Sequence, residues 1–354
     1  MTFIVDCLKK TIEPKAIPSL DGIRALSILM VILGHSPHDI PGYLSFLRNG
    51  GIGVSLFFVT SGFLITSLLV NEKEKTGKIS LKNFYIKRVF RIFPAYYFFL
   101  LAILIAWISN LIPMTANDLV SASLYFWNYS PTTQEFIVGH TWSLAVEEHF
   151  YLLWPLIVSS LLLKKSLKVA IGIILASPLI RVATYQFIPM YKARLSILSH
   201  TRFDMLMFGC VLAYVWQDVN LRNKFTKFCN KISCTVSIIF LLFIHPRIEL
   251  IFTGRYLMTI GYTLVGIAIS IIVFHFITHY KSIAGTFLNS APMRHLGILS
   301  YGIYLWQQPF FNRHLQFFGF WQSLLIVILC AEISFQLVEL PMMRMRKRFL
   351  VDHA

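Results

Sequence analysis

The sequence predicts an all-α protein, a polytopic transmembrane bundle of about ten spanning helices. Three observations carry that prediction. The 354 residues are 56% hydrophobic and only 14% charged, and the mean hydropathy is +0.66, a balance soluble domains rarely show because they need charged surface. The apolar residues fall in runs of helical length rather than in short alternating stretches. The Lys and Arg residues, which bring the formal charge to +16, gather in short clusters between those runs. That distribution suits loops beside anionic lipid better than a nucleic-acid face.

In chain order the candidate spans lie near 19–38, 53–70, 92–112, 143–163, 169–187, 203–217, 233–249, 256–278, 295–312 and 319–338. A crossing needs about 20 apolar residues, so 203–217 is short. The stretch from Leu119 to Trp127 is too short to cross and reads as an interfacial or re-entrant piece. A basic stretch precedes the first span without a small-residue cleavage site after it, which points to a retained helix. No Gly/Ser/Pro-rich linker interrupts the chain, so the expectation is one membrane domain over 1–354 with no appended soluble domain.

Orientation follows from the basic residues. With a cytoplasmic N-terminus, 23 of the 32 Lys and Arg lie on the cytoplasmic side. They include Lys9, Lys10 and Lys15, the run from Lys73 to Arg91, Lys164 to Lys168, Arg222 to Lys231, and Arg344 to Arg348. The reverse orientation would violate the positive-inside tendency. An even number of crossings then places both termini in the cytoplasm.

Several residues are costly in such a setting. Arg24 and His35 sit eleven residues apart in one apolar segment. Eleven steps of about 100° bring both to one helix face, separated by about 16 Å along the axis. Intramembrane ionisable residues are functional-site candidates by default, and this pair spans about half the hydrocarbon thickness. Arg88 and Arg91, at i and i+3 in KNFYIKRVFRIFP, share a helix face and offer forks suited to phosphate oxygens; for an isolated Arg-x-x-Arg a lipid-facing positive-inside anchor is the commoner reading. In GHTWSLAVEEHFYLLWP, Thr141 is the expected N-cap of a helix carrying Glu147 and Glu148 on its first turns. Neighbours point about 100° apart, so at most one acid should face the interior, and Glu147 shares its side with Tyr151. Arg202 and Asp204 form a second charged pair, either fixing packing or meeting an acceptor. Trp306, Gln307 and Gln308 close another helix before Pro309, where Trp306 is either an interface anchor or part of a sugar-binding mouth.

The five cysteines, Cys7, Cys210, Cys229, Cys234 and Cys330, are scattered and lack zinc-site spacing. They read as packing residues or free thiols, and no metal site is expected.

Taken in order, SLDGIRALSILMVILGH, LFFVTSGFLIT, KRVFRIFPAYY, HTWSLAVEEHFYLLWP, HTRFDMLMFG, LSYGIYLWQQP and VELP resemble the acyltransferase 3 family of bacterial integral-membrane acyltransferases over nearly the whole chain. The resemblance implies transfer of an acyl group, commonly acetyl from acetyl-CoA, to a hydroxyl of a carbohydrate or glycolipid such as an O-antigen or lipopolysaccharide sugar. The family's Arg and His eleven apart fall on Arg24 and His35, its Arg-x-x-Arg on Arg88 and Arg91. Its WSLxxE motif falls on Trp142, Ser143, Leu144 and Glu147, favouring Glu147 over Glu148. Two positions depart from it: His149 stands where many relatives have Gln, and Gln307 where many have His.

The resemblance and the topology together imply a division of labour. Acyl-CoA enters from the cytoplasm with its phosphates on Arg88, Arg91 and Arg24. His35 acts as general base, or as an acyl carrier, with Glu147 orienting its ring. His140, Trp142, Ser143, Arg202, Asp204 and Trp306 support the acceptor side. No tightly bound cofactor and no nucleic acid is expected, acyl-CoA being a co-substrate, and the location is the bacterial inner membrane. The rival classes are a transporter or flippase without chemistry, against which the missing internal repeat counts mildly, and a sensor or scaffold of an envelope complex.

Overall fold

A computed structural model describes residues 17–36, 47–130, 137–312 and 318–350. The described residues are helical, with no strand among them. In order the helices are α1 (Leu20–His35), α2 (Gly50–Thr76), α3 (Leu81–Ile108) and the short α4 (Ala116–Ser123). There follow α5 (Thr141–Ser160), α6 (Leu163–Phe187), α7 (Ser199–Gln217) and α8 (Val219–Phe228). The chain continues through α9 (Lys231–Phe252) and α10 (Gly254–Thr278), α11 (Ile283–Leu288) and α12 (Ala291–Phe310), and ends in α13 (Phe320–Arg348).

Six of these, α2, α3, α6, α9, α10 and α13, are long and apolar enough to cross a bilayer, and the protein is a multi-pass membrane protein. The remaining four predicted spans are helices too, but α1 has only 16 residues, and α5, α7 and α12 carry polar groups on buried faces. Six of the ten predicted crossings thus meet the length and hydropathy of a span, and the other four are helices that are shorter or carry buried polar groups. Outward stripes mark the lipid side: Leu101, Ile105 and Ile108 on α3, Leu175 and Leu179 on α6, and Leu325, Leu329, Ile333 and Leu337 on α13 are all exposed. Their spacing of three to four residues is that of one helix face.

Packing inside the bundle depends on small residues, as expected where lipid supplies no hydrophobic drive between helices. A Cβ on Gly62 of α2 would overlap the Leu206 carbonyl, and one on Gly209 of α7 would overlap that of Val59. The α1–α2 pair closes in the same way, since a Cβ on Gly34 would lie 2.6 Å from the Gly50 nitrogen. These approaches hold α1, α2 and α7 backbone to backbone.

Ends and turns are satisfied by specific side chains. Lys73 Nζ donates to the carbonyls of Val158, Ser159 and Leu161 at 2.6, 3.1 and 2.6 Å, so one lysine of the basic run caps the C-terminus of α5. Ser19 enters α1 at φ 66, a left-handed conformation uncommon for a residue with a Cβ. Asn289 holds it there, accepting from the Ser19 N–H at 2.8 Å and donating to its hydroxyl at 2.9 Å. The stretch read as interfacial folds as α4 plus a 3₁₀ turn over Trp127–Tyr129. It keeps Ala122, Tyr125 and Trp127 buried and Val120, Leu124 and Phe126 exposed. Tyr96 Oη ties it down by donating to the Ala122 carbonyl at 2.7 Å.

Candidate functional site

One cavity of about 530 Å³ opens among α1, α2, α3, α5, α12 and α13. It gathers Arg24, Arg88, Arg91 and Glu147, drawn from three helices, and Ser143 joins them. From Arg294 to Tyr304 its wall follows α12 over ten residue steps, about 15 Å of helix. Arg88 and Arg91 lie in the first three turns of α3, just after the α2 C-terminus and the α2–α3 connection, which carry the start of the basic run from Lys73, so this is the basic end of the bundle.

The local reasons are readable. Arg24 sits one turn into α1, and Asp21, on the same turn, also lines the cavity. Arg24 interacts electrostatically with Arg91, Asp21 and Glu147. Arg88 lies with its guanidinium carbon 5.5 Å from the centre of the Tyr151 ring and 5.7 Å from that of Phe84, a geometry that attracts a cation to the ring faces. Glu147 Oε1 accepts a 2.6 Å hydrogen bond from Ser61 of α2. In α13 a π-turn over Phe335–Glu339 turns both of those residues onto the cavity wall; such turns re-aim side chains and recur at functional sites.

Several expectations need correction. Glu147 and Glu148 both line the cavity, because it wraps around more than one face of α5. Thr141 is not the N-cap of α5: that position is His140, and the Thr141 hydroxyl donates back to the Val138 carbonyl at 2.7 Å. Arg202 and Asp204 do not pair. Two residues apart on a helix, they point about 200° from each other. Asp204 instead takes Arg181 of α6 at 2.6 Å with both side chains fully buried. Arg202 donates to Ser55 Oγ at 3.0 Å and lies 3.9 Å from the Tyr262 ring centre. Lys9, Lys10, Lys15 and Cys7 lie outside the described residues.

His35 is on the face of α1 shared with Arg24 but does not line the cavity. Its ring is oriented by its own helix: Nδ1 lies 3.0 Å from the Val31 carbonyl. A carbonyl only accepts, so Nδ1 carries the proton and Nε2 keeps its lone pair. No hydrogen bond joins Glu147 to His35 among the described residues, and the ring-orienting contact belongs to Val31. His140 is the residue that bridges the gap. Its ring is 3% exposed, has no hydrogen-bond partner on either nitrogen, packs 5.4 Å from Tyr304 and 5.6 Å from Phe99, and stands within electrostatic range of His35.

Trp142 and Trp306 lie off the cavity as well. Trp142 packs edge-on against Phe58 at 6.0 Å, and Trp306 packs on Phe98 and Phe99 at 6.1 and 5.4 Å. Trp306 Nε1 is buried. Sequence reasoning gave no role to Ser61, Arg294, Tyr304 and Glu339, which line the cavity wall. Ser61, Tyr304 and Glu339 lay inside quoted motifs, and their polarity in apolar helices was the available signal. The four described cysteines, Cys210, Cys229, Cys234 and Cys330, are free, and no group of three or more metal-ligating side chains occurs among the described residues.

The profile of a family described as an acyltransferase domain matches residues 17–335. The chain is 30% identical over 367 aligned positions to the O-acetyltransferase OatA of Staphylococcus aureus strain NCTC 8325 / PS 47, an alignment covering 94% of this chain and 58% of that protein. The same figures hold for OatA of strain COL. A further protein of that strain, SACOL0978, provisionally named an O-acetyltransferase, is 28% identical over 92% of this chain and 57% of its own length. The chain thus spans a little over half the length of the curated relatives it matches. No solved structure matches it.

Proposed function

The chain belongs to the acyltransferase domain family, and from that premise we propose that it is a membrane O-acetyltransferase moving an acetyl group from acyl-CoA to a hydroxyl of an envelope carbohydrate. The observation that carries this reading is a cavity that collects Arg24, Arg88 and Arg91 at one end and extends along α12 as far as Tyr304. A nucleotide thioester is anionic at its nucleotide end and uncharged at its acyl end, so a cavity with that polarity suits it.

In this proposal the basic end faces the cytoplasm and both termini lie there, in the bacterial inner membrane, following the distribution of Lys and Arg. The donor phosphates rest on Arg88 and Arg91, with Arg24 further in. Glu147 and Glu148 balance these cations while the cavity is empty. The acceptor, a sugar hydroxyl of which lipopolysaccharide sugars are one example, arrives from the His35 side. His35 Nε2 takes the hydroxyl proton as the oxygen attacks the thioester carbonyl, which typically accelerates such a step by about 10²–10⁴. His140, Arg202, Trp142 and Trp306 shape the acceptor side without lining the donor cavity, and Asp204 fixes α7 against α6 through its buried pair with Arg181.

The test compares wild type with His35→Ala in the producing cell and as full chain in lipid nanodiscs. Mass spectrometry of envelope glycan reads the O-acetyl group, and thiol release from acetyl-CoA reads the donor half. Loss of both with unchanged protein yield supports the base role. A His35→Ala chain that still transfers acetyl refutes it, and a wild-type chain that moves glycan across the bilayer without releasing thiol refutes the enzyme reading.

A further inference from the structure

The donor cavity ends at a pair of hydroxyls. On α5 no residue before Ser143 lines it, and on α12 none after Tyr304 does. Those two side chains, 161 residues apart in sequence, meet at 2.5 Å and are 4% and 5% exposed. Each also reaches the His140 carbonyl, Tyr304 Oη at 3.0 Å and Ser143 Oγ at 3.1 Å. That same carbonyl takes the Ser143 backbone N–H at 3.3 Å.

A carbonyl oxygen has two lone pairs and each hydroxyl one proton. The Ser143 N–H and one hydroxyl fill the His140 carbonyl, and the other hydroxyl proton goes into the 2.5 Å contact between the two hydroxyls. Redirecting it to an incoming oxygen leaves the carbonyl fully satisfied, so the change carries little of the penalty that stripping a buried acceptor would bring. The hydroxyls are held by packing on both sides: the Tyr304 ring lies edge-on to Phe57 at 6.2 Å and beside His140 at 5.4 Å. Preorganised donors at the end of a cavity are what a developing oxyanion requires.

We propose that Tyr304 and Ser143 receive the thioester carbonyl oxygen and stabilise the oxyanion formed when the acceptor attacks. The inference rests on the donor reading above and adds the group that binds the reacting carbonyl. The acceptor oxygen bonds to the carbonyl carbon while its proton passes to His35 Nε2. The carbonyl π electrons move onto oxygen, which takes hydrogen bonds from the two hydroxyls. When the intermediate collapses, the carbon–sulfur bond breaks and the thiolate recovers the proton from the imidazolium. The products are an O-acetyl ester and free CoA, and no oxidant or further reactant is needed. Tyr304 and Ser143 donate hydrogen bonds throughout and transfer no proton.

The experiment uses full chain in nanodiscs, with acetyl-CoA as substrate and CoA itself, which lacks the acyl carbonyl, as the binding probe. Tyr304→Phe should lower kcat by about 10²–10³, the cost of removing one oxyanion donor, with CoA affinity essentially unchanged. Ser143→Ala should also lower kcat, with Ser143→Thr recovering most of the rate because the hydroxyl returns. Retention of wild-type kcat in Tyr304→Phe overturns the proposal, as does a parallel loss of CoA affinity and kcat. If Tyr304→Phe fails to accumulate, the Ser143→Ala and Ser143→Thr pair decides: equal rates in the two overturn it. A wild type that releases no thiol sinks the donor reading itself, whereas an active wild type with indifferent hydroxyl variants removes only this inference.

Discussion

Asp204→Asn isolates what the buried ion pair contributes. Arg181 Nη1 meets Asp204 Oδ2 at 2.6 Å with both side chains at 0% exposure. Arg181 also donates to the Thr201 and Met258 carbonyls, both at 3.0 Å, and its Nη2 is buried without a hydrogen-bond partner. Asp204 Oδ1 accepts from the Met205 N–H at 2.9 Å. The amide replacement is nearly the same size and preserves much of this geometry, so volume is not the issue. A guanidinium cannot shed its proton, and with Asp204 neutralised it stays charged among two carbonyls and the Tyr262 ring, 5.2 Å away. Breaking one partner of a buried pair typically costs about 3–5 kcal/mol, or roughly two to nearly four orders of magnitude in the folded-to-unfolded ratio. Thermal unfolding of the full chain in nanodiscs should register that loss. The double variant Arg181→Met with Asp204→Leu should recover most of it, since an apolar pair of similar volume is often as stable. An unfolding midpoint unchanged in Asp204→Asn would refute the packing role. If that variant also lost transfer, Asp204 would be an acceptor contact after all.

Two further outcomes follow from the same geometry. Replacing Arg88 or Arg91 with Gln should weaken CoA binding by roughly ten- to a hundredfold each, the value of a charge-assisted hydrogen bond of about 1.5–3 kcal/mol; calorimetry on purified chain checks it, and unchanged affinity with lowered yield would make the arginines anchors. Gly209→Ala should destabilise by about 1–3 kcal/mol, because its Cβ would force α7 away from Val59 of α2. Gly172→Ala on α6, with nothing within 4 Å of its Cβ, should be neutral or slightly stabilising, and the contrast in unfolding midpoints is the measurement.

The fold class was legible because lipid imposes a coarse rule, that spanning segments be long, apolar and helical. The Arg24–His35 face was legible because helix periodicity is local. So were Arg88 with Arg91, and Glu147 with Tyr151. The pairing of Arg202 with Asp204 failed at the next level: proximity in sequence did not survive the helical turn, and the true partner Arg181 lies 23 residues back on another helix. His35 and Glu147 share no contact for a similar reason, since Val31 of α1 and Ser61 of α2 are nearer to each than they are to one another.

By itself the chain's pattern of apolar runs and basic clusters determined that it crosses the bilayer as helices, which of its faces carry charge, and which residues are too costly to be there for packing alone. Only the tertiary structure decided which of those residues meet. Ser143 and Tyr304 become neighbours across 161 residues because glycine contacts and the helix ends fix how α1, α2, α5, α7 and α12 cross. Such crossings depend on the joint shape of several helices, and no periodicity within any one of them encodes it.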